Sequence, residues 1–192
     1  MPVGDLPILH VESADAWNAW LTEHGADSAG VRLRIAKVGD DLSTPTYAEA
    51  VETGLAHGWI DSKKGRLDDV SYVQRFTRRR PRSPWSLINR TTAERLIAEG
   101  RMRPAGLAEV ESARADGRWD RAYVGSATAE VPADLQRALD ADPAAAAAFA
   151  ALDRTNRYAI LYRIGAVKRA ETRTRKISEF VSRLGQGWRP YP

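Results

Sequence analysis

Five arginines, Arg75, Arg78, Arg79, Arg80 and Arg82, fall within eight positions of a 192-residue chain. A guanidinium is permanently charged, and its planar fork of donors matches two oxygens of a phosphate or carboxylate. The run Arg75-Phe76-Thr77-Arg78-Arg79-Arg80-Pro81-Arg82-Ser83-Pro84-Trp85 therefore reads as a site for an anion. Ser83 followed by Pro84 has the form of a helix N-cap with proline at the first helical position, and the free amides of a helix start favour anions too. Trp59, Phe76 and Trp85 are the aromatics on which a base would stack. Asp61 reads as an ion-pair partner for the cluster, or as a polar group at a pocket mouth. The competing reading is a solvated loop whose arginines pair with the chain's own acids.

Other chemistries find little support. The chain has no cysteine, hence no disulfide, thiolate nucleophile or zinc ribbon. His10, His24 and His57 lack metal-ligand spacing, so no metal or cofactor is expected. His57, Asp61 and Ser62 are close in sequence, but successive residues of a strand point to opposite faces. Nor does the chain contain a Gly-x-Ser-x-Gly elbow, a Walker-type loop or a Gly-x-Gly-x-x-Gly fingerprint. Asp40-Asp41 and Asp68-Asp69 read as turns.

The formal net charge is only +4, but it is unevenly distributed. Residues 1–62 carry net −7, 63–103 net +8, 104–153 net −5 and 154–192 net +8. In the second basic block, Arg169, Arg173, Lys176 and Arg183 lie opposite an apolar stripe, as on an ordinary surface helix. No apolar run is long enough to span a bilayer. The stretch from Met1 to His10 lacks the basic start and apolar core of a secretory signal. A soluble cytoplasmic protein is the expectation.

The elements that position these residues are legible in outline. Ser13 caps a helix over residues 13–24, carrying Trp17, Trp20, Leu21 and His24 on one face. Val31, Leu33 and Ile35 alternate with Arg32 and Arg34, as in a half-buried strand. Thr46 and Glu49 form a capping box for a helix whose Tyr47, Val51 and Leu55 face inward, with Gly58 as its end. Residues 59–67 and 70–77 read as paired strands around the Asp68-Asp69 turn. The spacing predicts helices to the end: one from Ser83, one opened by Thr91 and Glu94, and one from Pro104. Others start at Pro132 and Pro143, Asp153 caps a further one, and a last one carries Ile177, Phe180, Val181 and Leu184.

These pieces predict an α+β fold: a small antiparallel sheet of about three strands with covering helices in residues 1–125, then a helical C-terminal subdomain in residues 126–192. The chain also resembles the bacterial YdeI/OmpD-associated family, the bacteriocin-protection or OmdA-like proteins. The resemblance rests on Thr46-Tyr47-Ala48-Glu49-Ala50, Gly58-Trp59-Ile60-Asp61, Gln74-Arg75-Phe76-Thr77, Arg79-Arg80-Pro81-Arg82-Ser83 and Gly100-Arg101-Met102-Arg103-Pro104-Ala105-Gly106. It continues in Arg157-Tyr158-Ala159-Ile160-Leu161-Tyr162 and Glu171-Thr172-Arg173. Arg78 and His57 depart from the family pattern. The resemblance implies an α+β region followed by a helical one, and carries over no catalytic residues. The leading functional reading is a non-enzymatic module that binds nucleic acid or another polyanion through Arg75, Arg78, Arg79, Arg80 and Arg82, with Trp59, Asp61 and Trp85 lining the adjacent surface. A pocket or enzyme for a phosphorylated or carboxylated metabolite is the first alternative. A protein–protein adaptor using Trp119 and Trp188 is the second.

Overall fold

A computed structural model describes residues 6–192, so the first half of the Met1–His10 stretch lies outside the described residues. The chain divides into two compact units, one ending at Ala122 and the other being Tyr123–Pro192.

The first unit opens with β1 (Ile8–Leu9), α1 (Ala14–His24), β2 (Val31–Ala36) and α2 (Tyr47–Ala56), followed by the hairpin β3 (Trp59–Arg66) and β4 (Ser71–Arg78). Local chemistry accounts for the helix starts. The Ser13 hydroxyl accepts from the Ala16 amide. Thr46 and Glu49 close a reciprocal capping box, satisfying two amides that a helix start otherwise leaves open. Gly58, at φ 76°, takes the left-handed position that turns the chain from α2 into β3. In the hairpin turn, Asp68 Oδ1 accepts from the Val70 and Ser71 amides and the Ser71 hydroxyl.

The sheet order is β1-β2-β4-β3. The expectation of three antiparallel strands needs correction: β1 adds a fourth strand, parallel to β2, and makes the sheet mixed. Two residues are too few to display a period of two, so β1 leaves no signal in the sequence. Val31, Leu33 and Ile35 pack with Phe76 and Trp59 against Trp17 and Leu21 of α1 and Ala50 of α2. Trp17 is fully buried, with its indole N–H donating to the Ala50 carbonyl. Tyr47 does not face inward as expected. It is exposed at the first position of α2, where its hydroxyl reaches Asp61.

Two helices follow, α3 (Leu87–Ala98) and α4 (Pro104–Ala115). The cap of α3 is Ser86, not Ser83, and Thr91 and Glu94 lie inside the helix rather than opening one. Glu94 instead pairs with Arg90, one turn earlier. Trp85, Leu96, Val110 and Trp119 form the core beneath these helices.

The second unit holds α5 (Ala133–Asp140), α6 (Pro143–Ala150), α7 (Arg154–Gly165) and α8 (Ala170–Gly185). Pro132 is the N-cap of α5 rather than its first residue, whereas Asp142 and Asp153 cap α6 and α7 through their carboxylates. Ile177, Phe180, Val181 and Leu184 are buried as expected and join Leu135, Phe149, Ile160 and Ile164 in one core. Arg173, read as a surface cation, grips the Asp134 carboxylate at 2.6 and 3.0 Å and donates to the Ile164 carbonyl, tying α5, α7 and α8 together.

Candidate functional site

Strand β4 delivers the arginine segment, and the loop that follows sets its geometry. The Arg79 amide donates to the Gly58 carbonyl at 3.0 Å, pinning the exit of β4. The next four residues form a tight turn. The Ser83 amide donates to the Arg80 carbonyl at 2.9 Å, and the Arg80 amide donates back to the Ser83 hydroxyl at 3.1 Å. Pro81 presets the first inner position, and Arg82 sits at the second with φ 70°. That position ordinarily takes glycine or asparagine. A side chain with a Cβ held there costs on the order of 1 kcal/mol, and such outliers concentrate at functional sites. Ser83 is thus consumed by the turn, which is why α3 starts three residues later.

The five arginines have different fates. Arg79 is 5% exposed, lies over the Trp85 ring at 3.7 Å and donates to the Pro84 carbonyl. It is a core residue, and its cation–π contact holds the loop to the helical core. Arg78 is exposed and donates to the Ala26 carbonyl at 2.7 Å. Arg80 is exposed, and Arg82 projects from the turn. Arg75 is half-buried on β4, and its Nε lacks an acceptor among the described residues.

The internal-pairing reading gains no support among the described residues. Carboxylates are engaged elsewhere: Asp68 by Arg34, Glu94 by Arg90, Glu52 and Glu99 by Arg95 and Arg101, and Asp116 by Arg118. None is engaged by Arg75, Arg78, Arg80 or Arg82.

Three other expected site residues move off the surface or find other partners. Trp59 is 2% exposed and Trp85 1%, so neither offers a face to a base. An aromatic next to arginines, as Trp85 is, has the same sequence signature in a binding site and in a cation–π contact inside a core, whereas Trp59 packs against Trp17 and Trp20. Asp61 makes no ion pair among the described residues. Its Oδ2 accepts from the Tyr47 hydroxyl at 2.8 Å and from Gln74 Nε2 at 3.1 Å. The hydroxyl end is partly buried, and this partial burial, and then the bond to Asp61, push the Tyr47 hydroxyl well above its ordinary range, so it stays a donor. No local spacing marks this Tyr47–Asp61–Gln74 set, because its members lie on three different elements.

The adaptor reading also loses its anchors. Trp119 is 4% exposed, in contact with the Trp85 ring, and Trp188 stacks on Phe180 with Arg183 over its other side. A shallow cleft of about 590 Å³ on the second unit is lined by Ala138, Asp142, Ser178 and Ser182, among others, and by no arginine. Among the described residues, no three His, Asp or Glu side chains gather as metal ligands, and no helix is long and apolar enough to cross a membrane.

His57 is a structural histidine. Its Nε2 lies 2.8 Å from the Asn18 side-chain oxygen. Burial, and secondarily the positive charge of Arg103, hold its pKa below the ordinary value. A depressed folded-state pKa means the unfolded chain takes up the proton first. Stability is therefore full above about pH 6.5, the ordinary histidine value, and declines as pH falls below it. In His57→Gln, equilibrium unfolding measured between pH 7 and pH 5 is expected to show a shallower loss than in the parent. An unchanged slope would assign the loss to carboxylates alone.

Two family models match the chain. Residues 9–109 match a domain of unknown function, DUF8412, and residues 128–187 match the family described as bacteriocin-protection, YdeI or OmpD-associated. The arginine turn lies within the first match, and the Arg157–Tyr162 and Glu171–Arg173 motifs lie within the second. No curated protein and no solved structure matches the chain.

Proposed function

For a chain that belongs to the DUF8412 family through its first unit and to the YdeI/OmpD-associated family through its second, we propose a cytoplasmic, non-enzymatic module that binds nucleic acid or another polyanion through its arginine turn. The observation that carries this reading is the state of Arg78, Arg80 and Arg82. They project from one strand end and its turn, and no carboxylate pairs with them among the described residues. The left-handed backbone at Arg82 supports it, because a purely structural turn is more stable with glycine there.

With Trp59 and Trp85 buried, recognition runs through phosphate oxygens and not through stacked bases. Binding is then indifferent to base sequence and strongly dependent on salt. Titration of a labelled oligonucleotide from dilute to physiological salt is expected to give a log–log slope of roughly −0.9 per duplex phosphate contacted, or about −0.7 on a single strand. Affinity that ignores salt would overturn the proposal.

A further inference from the structure

Strand β2 is antiparallel to β4, and their register sets Arg32 directly opposite Arg75. Val31, Leu33, Ile35 and Phe76 alternate with these arginines and occupy the buried face, so Arg32 and Arg75 share the opposite face of the sheet. Directly opposed like charges destabilise a strand pair, and folds normally place a counter-charge between them. The same face shows that arrangement one step along. Arg34 is held by the Asp68 carboxylate at 2.7 Å and donates to the Ser71 hydroxyl. Arg32 and Arg75 have no such acid among the described residues. The Arg32 Nε donates to the Leu6 carbonyl at 2.8 Å, and the buried Arg75 Nε has no acceptor among the described residues. Backbone pairing thus sets the two arginines at opposed positions on one face, with no described carboxylate between them.

We infer that the Arg32–Arg75 pair is an oxyanion site on the sheet face, separate from the arginine turn, and that its ligand is a phosphoryl group carrying two negative charges or the phosphates of a polyanion. Two arginines opposed on one face offer their forks to the several oxygens of one phosphoryl group, and the anion supplies the counter-charge that no described carboxylate gives. Free phosphate and a nucleic-acid backbone offer the same chemistry.

The test uses the full chain and three variants: Arg75→Gln, Arg32→Gln and the double variant Arg80→Gln/Arg82→Gln. Arg75→Gln is the informative one, because its Nε breaks no bond when removed, whereas Arg32→Gln also loses the Leu6 contact. Inorganic phosphate at ten times its dissociation constant is expected to raise the melting temperature by roughly 3–6 °C in the parent, against chloride at equal ionic strength. The rise persists in Arg80→Gln/Arg82→Gln and disappears in Arg75→Gln. In phosphate-free buffer Arg75→Gln melts at or above the parent, since a like-charge contact is gone. A ten-nucleotide oligothymidine distinguishes the sources. Should Arg75→Gln weaken it at least tenfold, backbone phosphates occupy the pair; should it leave that affinity unchanged, the ligand is a free phosphoryl compound. An equal phosphate-induced rise in parent and Arg75→Gln, or none in the parent, overturns the inference. Failure of Arg80→Gln/Arg82→Gln to weaken oligonucleotide binding tells against the turn without touching this site.

Discussion

Replacing Arg80 and Arg82 together by glutamine is expected to weaken oligonucleotide binding by about 100-fold and to make the salt slope shallower by about two. Each guanidinium–phosphate contact is a hydrogen bond to a charged group, worth about 1.5 kcal/mol at the lower end of the usual range. Two of them give about 3 kcal/mol, hence the two decades. Both side chains project from a turn held by backbone bonds and the Ser83 hydroxyl, so their removal leaves the fold intact. The single variant Arg82→Gly separates binding from strain. It relieves the left-handed backbone at φ 70° and is expected to stabilise the chain by about 1 kcal/mol. Its affinity falls about tenfold in the same preparation. A protein that becomes more stable and binds less is the signature of a residue kept for its ligand. If Arg82→Gly gains stability at undiminished affinity, the turn is not the site.

Trp85→Ala is expected to cost about 3–5 kcal/mol, the usual range for emptying a buried large aromatic site. Trp85 is 1% exposed and joins Leu96, Val110 and Trp119 in the core under α3 and α4. Its loss also strips the Arg79 guanidinium of the ring 3.7 Å away, leaving a buried charge without that contact. Against a typical total of about 5–15 kcal/mol, this shift is plain in chemical denaturation. Trp85→Phe is the control. It keeps an aromatic face for Arg79 and removes an indole N–H that has no acceptor, so it costs much less than alanine. Arg79→Lys tests the contact from the other side, since a compact ammonium cannot stack as a planar guanidinium does. Equal, small losses for Trp85→Ala and Trp85→Phe would place the ring outside the core. With Arg79 structural, the arginine run divides by role: Arg79 holds the loop to the core, Arg78, Arg80 and Arg82 are the proposed ligand contacts, and Arg75 belongs with Arg32 on the sheet.

How well each element can be read in advance depends on how local its cause is. The capping box at Thr46, the Asp153 cap, the Asp68 turn and the stripe of α8 all rest on residues within a turn or two of one another, and all form as read. The start of α3 does not. Ser83-Pro84 has the form of a cap, yet Ser83 closes the preceding turn and burial of Trp85 draws the chain past it to Ser86. Two local motifs compete for one serine, and packing around a tryptophan chooses between them. Strand β1 is invisible for a different reason, since only its pairing with β2 makes two residues a strand.

The candidate site divides along the same line. Residue types and spacing alone determined that this chain has an α+β part, a helical part and a dense block of permanent positive charge, because helix caps, periodicity and arginine chemistry are properties of neighbours. Which arginines face a ligand was decided only by the tertiary structure. A cation beside a tryptophan has one sequence signature but two destinies, and burial behind β4 made Arg79 and Trp85 core while the turn left Arg80 and Arg82 outside. The opposition of Arg32 and Arg75, 43 residues apart in the chain, exists only through strand register. Register depends on which face each strand buries, and that is settled by the whole core at once.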